Sequence, residues 1–147
     1  MVEASVKEYD YLVIGAGSGG IASSRRAAQY GVKVCVIENR VIGGTCVNVG
    51  CVPKKVMYSL ASYLEEAHLF KDYGVNGTEG LKLDFPVFKA KRDAYVKRLN
   101  GIYDGMLDKS GVDYVKGTAK FVDKKIVECE GQRYTAKHIL IASGSTP

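Results

Sequence analysis

The segment Gly15-Ala16-Gly17-Ser18-Gly19-Gly20 lies directly between an apolar run, Tyr11-Leu12-Val13-Ile14, and a stretch from Ile21 to Tyr30 that suits a helix. That order leaves the chain few folds to choose from. A short, wholly apolar run fits a strand buried on both faces. Gly15 permits a tight turn, Gly17 lets backbone approach a pyrophosphate, and Gly20 lets the helix pack closely on the strand. The helix N-terminus then offers free N–H groups and a positive dipole end to the phosphates. Small residues at Ala22, Ala27 and Ala28 allow close packing, and Gly31 is a plausible stop. Val32 to Ile37 predicts a second strand, ending on Glu38. Glu38 stands 18 residues beyond Gly20, where a carboxylate can accept hydrogen bonds from ribose hydroxyls. This βαβ unit reads as an adenine dinucleotide site. The motif by itself does not choose between FAD and NAD.

The remaining chain extends the same α/β pattern. A second glycine turn, Gly43-Gly44, leads to Thr45 and Cys46. Val52 to His68 has helical character, with Pro53 tolerable in its first turn. Lys71 to Asp84 reads as a loop. Phe85 to Leu107 reads as a long helix, interrupted near Gly101 or Gly105, whose apolar residues at roughly helical spacing are core contacts. Val112 to Phe121, Lys125 to Glu130, Arg133 to Thr135 and His138 to Ala142 predict short strands. The last is apolar and can return to the first sheet as a parallel strand. The expected fold is α/β: a Rossmann-like domain with a parallel sheet, helices and a small antiparallel β-meander.

With 147 residues, 46% hydrophobic and 25% charged, the chain can form a packed core. Its net charge of +5 is scattered among acids and across segments. That disfavours nucleic-acid binding and suits an anionic small-molecule substrate equally well. No apolar run approaches the roughly 20 residues of a membrane span, and the N-terminus lacks a secretory pattern. Cytoplasm is the default compartment, with a mitochondrial form left open.

Four residues separate Cys46 from Cys51. On a regular helix their Cα atoms would be about 8 to 9 Å apart, whereas a disulfide generally needs less than about 7 Å. A bond between them requires irregular backbone, for which Gly50 is well placed. At a helix start such a bond would be reducible, because the N-terminus stabilises the released thiolate. Three readings compete on spacing: a zinc site completed by His68 and Cys129, two structural thiols, or a redox pair beside a dinucleotide. Zinc is disfavoured, because neither further ligand lies at a ligand spacing. The redox reading accounts for the glycines, cysteines and lysines together.

Gly43-Gly44-Thr45-Cys46-Val47-Asn48-Val49-Gly50-Cys51-Val52-Pro53-Lys54-Lys55 resembles the active-site segment of the FAD-dependent pyridine nucleotide–disulfide oxidoreductases. Lys54-Lys55 is similar to the branches that reduce glutathione, trypanothione or thioredoxin, and Ser18-Gly19-Gly20, Arg25-Arg26, Lys91-Arg92-Asp93-Ala94-Tyr95-Val96 and Arg98-Leu99-Asn100 are most similar to the branch that reduces oxidised glutathione. The resemblance runs from about Asp10 to Pro147. It implies FAD contacts from Gly15, Gly17, Ser18, Gly19, Gly20, Glu38, Gly44, Thr45, Cys46 and Lys54, from Ala119 through its backbone, and from the Ala142-Ser143-Gly144 loop. Cys51 would be the sulfur next to the flavin, Cys46 the thiol that attacks substrate, and Lys54 a support for hydride transfer near the flavin. Ser18, Arg25 and Tyr103 would face the substrate, with Arg25 favouring anionic glutathione over a cationic analogue.

The implied whole enzyme is an NADPH-dependent glutathione-disulfide reductase of thiol redox homeostasis, a homodimer that reduces the Cys46–Cys51 disulfide through FAD. The family's acid–base His, supplied across the dimer, has no counterpart in His68 or His138. Residues 1–147 are therefore expected to be the N-terminal part of the FAD-binding domain. The NADPH, central and interface domains are absent, and this stretch alone is not expected to turn over glutathione. A large-type thioredoxin reductase and a non-catalytic FAD-binding fragment are the alternatives.

Overall fold

The computed structural model describes residues 5–145. Strand β1 (Val6–Ile14), helix α1 (Ser18–Ala28) and strand β2 (Val34–Glu38) form the expected βαβ unit. The chain continues through α2 (Gly44–Asn48), α3 (Cys51–Glu66), a 3-10 segment (Ala67–Tyr73) and α4 (Phe85–Lys109). It ends in β3 (Asp113–Lys116), β4 (Lys120–Asp123), β5 (Ile126–Cys129) and β6 (Gln132–Ile141). The sheet order is β3-β2-β1-β6-β5-β4. The first four of these strands run parallel, and β4, β5 and β6 form the antiparallel meander. The apolar end of β6 does return beside β1, pairing Leu140 with Val13.

Two cores flank the sheet. On one side Val13, Ile21, Val34 and Val36 pack with Leu107 of α4. On the other, Tyr9, Leu12, Cys35 and Ile37 meet Val127, Cys129 and Tyr134 of the meander. Each fully buried aliphatic side chain contributes about 1.5–3 kcal/mol. The two-sided burial explains why β1 and β2 read as apolar runs rather than alternating ones. A bulge sets the facing of β1: the N–H groups of Asp10 and Tyr11 both donate to Lys33 O, at 2.9 and 3.1 Å. Tyr9 and Leu12, three residues apart, thereby face the same core. Tyr9 also donates from its hydroxyl to Asp113 Oδ2 at 2.7 Å, tying β1 to the start of β3.

Several boundaries differ from the sequence reading. The proposed strand Val112–Phe121 is two strands at opposite edges of the sheet, separated at Gly117. The segments 133–135 and 138–142 are one strand, because β1 supplies continuous pairing across them. The proposed loop 71–84 begins with the end of the 3-10 segment, which Gly74 terminates. The helix expected from Val52 starts at Cys51, and a separate short helix precedes it.

Helix α4 is unbroken through Gly101 and Gly105. Asp84 caps its start, accepting from Val87 N at 3.1 Å, and Leu107 is buried near its end. An interior glycine costs a helix only about 1 kcal/mol relative to alanine, less than these anchors supply. Nothing lies within 4 Å of a Cβ built on either glycine. Gly101→Ala and Gly105→Ala should therefore each stabilise the fold by about 0.5–1 kcal/mol, read as a higher urea midpoint with an unchanged slope. A loss of stability in both variants would mean that the helix breaks there in solution.

Candidate active site

The glycine turn brings β1, α1 and β6 into backbone contact. Gly15 has φ 109°, and an added Cβ would lie 2.3 Å from Ala142 O. A Cβ on Gly20 would lie 1.8 Å from Gly15 O, so α1 rests directly on the loop. An α-helix leaves its first N–H groups without intrahelical partners. In α1 these belong to Ser18, Gly19 and Gly20, and no side chain caps them. The space beyond Gly19 is open.

Glu38 faces the same turn from the end of β2. Its Oε2 accepts from Ala16 N and its Oε1 from Arg40 N, both at 2.7 Å. These bonds fix the half-buried carboxylate and leave further lone pairs free to accept. Gly117 N donates to Glu38 O at 2.9 Å, which brings the segment carrying Ala119 beside this edge. Ala142 N donates to Ile14 O at 2.8 Å, and exposed Gly144 lies two residues on.

The second glycine turn docks on the first. Gly43 N donates to Ala16 O at 2.8 Å, and a Cβ on Gly44 would come within 2.8 Å of Gly17 Cα. Thr45 and Cys46 follow at once in α2, and Cys51 opens α3. Between the helices, Gly50 is favoured by tight space rather than by φ, which is −117°. Its Cβ would sit 3.0 Å from Thr45 O.

This irregular passage brings the two thiols close enough to influence each other. The hydrogen bond to the Cys51 thiol pushes the Cys46 thiol above its ordinary pKa. Burial and the nearby sulfur of Cys51 add to the shift, while the Cys51 N–H and the Lys54 charge oppose it. The structure holds the pair as two free thiols, one of the two states between which a redox pair alternates. Cys46 is half-buried, and Cys51 and Lys54 are exposed. The other two cysteines are buried in the core between sheet and meander, where burial, with the nearby Asp113 charge, pushes Cys35 up to about 12. Cys129 therefore lies in a hydrophobic core, and His68 is exposed with Nδ1 against Glu65 O. Among the described residues no three His, Cys, Asp or Glu side chains are grouped to hold a metal.

Arg25 and Tyr103 both lie at the α1–α4 contact. Arg25 Nε donates to Ser110 Oγ at 3.2 Å, and its Nη1 reaches Met106 Sδ at 3.6 Å. Tyr103 lies on the same face of α4, half-buried against the core. Among the hydrogen bonds of the described residues, none joins Arg25 or Tyr103 to the thiols.

Sequence reasoning assigned no role to Asn48 or Asn100, which it quoted only within the resemblance, and missed Ser110. Asn48 lies between the two cysteines and binds the carbonyls of the preceding turn. Asn100 reaches it from α4. A polar amide beside Leu99 and near Tyr103 on an amphipathic helix was the available signal.

The model of the pyridine nucleotide-disulphide oxidoreductase family matches residues 9–147. A glutathione reductase of Yarrowia lipolytica is 50% identical over an alignment that covers 98% of this chain and 33% of the relative. A glutathione reductase of Debaryomyces hansenii is 54% identical over 81% of this chain and 26% of the relative. The chain thus spans about a third or less of the length of these curated relatives. A match of this extent, on a fold that seats a thiol pair against a glycine-rich strand–turn–helix, makes the chain a member of the pyridine nucleotide-disulphide oxidoreductases.

Proposed function

We propose that this chain provides the FAD-binding turn and the redox thiol pair of an NADPH-dependent glutathione-disulfide reductase. The observation that carries the reading is the contact of the two glycine turns. Gly44 sits against Gly17, so whatever lies on the α1 N-terminus lies next to the segment bearing Cys46 and Cys51. The residues present fit FAD. Three uncapped N–H groups and the open space at Gly19 suit a pyrophosphate, and the fixed Glu38 carboxylate suits a ribose. FAD, when bound, supplies two-electron transfer between a nicotinamide and the thiol pair. NADPH would bind in the length that the relatives have beyond this chain, as would the partner face of a homodimer.

The chain's own residues then divide the thiol chemistry. Cys46, as thiolate, attacks one sulfur of oxidised glutathione, and one glutathione leaves with a proton. Cys51 attacks Cys46 in the mixed disulfide, closes the Cys46–Cys51 bond and releases the second glutathione. The Lys54 charge favours the Cys46 thiolate, whereas the bond to Cys51 holds its proton. A base must therefore remove that proton before attack, the part assigned by resemblance to a His across the dimer. Arg25, with Nε engaged by Ser110, presents its remaining N–H groups to a substrate carboxylate. Tyr103 stands on the same face of α4. Lys54, one turn into α3, supports the hydride route.

Flavin fluorescence should be quenched on titrating FAD into the purified protein. Glu38→Ala should weaken that binding about tenfold or more, since hydrogen bonds to a charged group contribute about 1.5–3 kcal/mol. Protein that binds no FAD would overturn the cofactor assignment. Iodoacetamide should label Cys46 and Cys51 in the native protein, and Cys35 and Cys129 only after unfolding. The pH midpoint for Cys46 labelling should lie above that of a free thiol. It should fall in Cys51→Ala, which removes the largest cause of the upward shift. A midpoint unmoved by that substitution would contradict the thiol contact.

A further inference from the structure

Asn48 and Asn100 form a built link between the thiol segment and α4. Both are half-buried. Asn100 Nδ2 donates to Ile42 O at 2.8 Å and to Asn48 Oδ1 at 2.9 Å. Asn48 Nδ2 donates to Gly44 O at 2.9 Å and to Ile42 O at 3.1 Å. A side-chain amide has two N–H donors and one acceptor oxygen. Turning either amide end for end would set its oxygen against carbonyl oxygens, so each amide fixes the orientation of the other.

We infer that Asn100 is a positioning residue for the thiol pair, holding Cys46 against Cys51 through Asn48 and the Ile42–Gly44 turn. The inference rests on the redox reading of the two cysteines given above. Cys46 sits in a helix of five residues, far too short to hold its shape alone. Its position is set at its two ends. Gly44 is seated on Gly17, and Asn48 is held by Asn100. Helix α4 is the fixed post, 25 residues long and anchored by buried Leu107. The same helix holds Arg25 through Ser110 and carries Tyr103, so thiols and substrate-facing residues share one reference.

The quantity that reports this positioning is the equilibrium between the dithiol and oxidised glutathione. Two thiols are oxidised to the Cys46–Cys51 bond, one glutathione disulfide is reduced, and the two thiol protons leave with two glutathione molecules. The constant has units of concentration and measures how well Cys51 is presented to Cys46. The protein is equilibrated in glutathione redox buffers, trapped with iodoacetamide and read by mass spectrometry of the Cys46 and Cys51 peptides. Asn100→Asp keeps the shape but replaces both donors with acceptors, and the constant should fall about tenfold. Asn100→Ser, which keeps one shorter donor, should fall less.

A merely structural role would weaken the oxidised and reduced forms alike, lowering the unfolding midpoint while leaving the constant unchanged. That result would overturn the inference. Should Asn100→Asp not fold, Asn100→Ser and Asn48→Asp read the same constant, and no change in either would overturn it equally. Failure of the unsubstituted protein to form any Cys46–Cys51 disulfide would instead sink the redox reading itself, a distinguishable outcome.

Discussion

The seating of Gly20 on the Gly15 carbonyl is the contact on which the site depends. A single added carbon at Gly20 would lie 1.8 Å from that oxygen, so the first turn of α1 can be this close only without a side chain. Close seating puts the helix's free N–H groups at the carboxyl edge of the parallel strands, where ligands bind in open α/β sheets. The rest is layered on that edge. Ala142 closes over Gly15 from β6, and Gly44 closes over Gly17 from the thiol segment. Three separate parts of the chain converge because each meets the others backbone to backbone.

The four cysteines divide into two chemistries by position alone. Cys35 and Cys129 fill the core between the parallel strands and the meander, where burial disfavours the thiolate and leaves small apolar side chains. Cys46 and Cys51 lie at the edge, close to each other and to the Lys54 charge. The Cys51 side chain and burial raise the pKa of the Cys46 thiol, and the Cys51 N–H and the Lys54 charge oppose them.

The βαβ unit was legible because its determinants are local: an apolar run, a glycine turn and a terminal carboxylate within one short stretch. The return of β6 was legible from its apolar composition. The continuity of α4 was not, since its glycines signal a break that the Asp84 cap and the burial of Leu107 override. The division at Gly117 was hidden because β3 and β4 pair with opposite edges of the sheet, which residue types do not record. Burial of Cys129 was hidden because the covering surface comes from β1 and β2, far away in sequence. The resemblance made Arg25 a substrate-facing residue, and its bond to Ser110 spans 85 positions. The Asn48–Asn100 link, across 52 positions, is of the same kind. In the site, then, the chemical groups were readable and their supports were not.

The irregular backbone between the cysteines carries a cost that its surroundings offset. A continuous helix from Gly44 through Glu66 would satisfy more backbone bonds, yet it would hold Cys46 and Cys51 about 8 to 9 Å apart. Breaking it at Gly50 leaves the turn before Cys46 and the start of α3 to be satisfied in other ways. Asn48 supplies side-chain donors to the Ile42 and Gly44 carbonyls, and Lys54 N bonds Gly50 O at 3.0 Å to begin α3 anew. The interruption brings the thiols together and, in the same step, places Cys51 at the opening of a full-length helix. The redox role proposed for this segment calls for both properties. It also calls for firm supports on either side, which α1, with its glycine turn, and α4 supply.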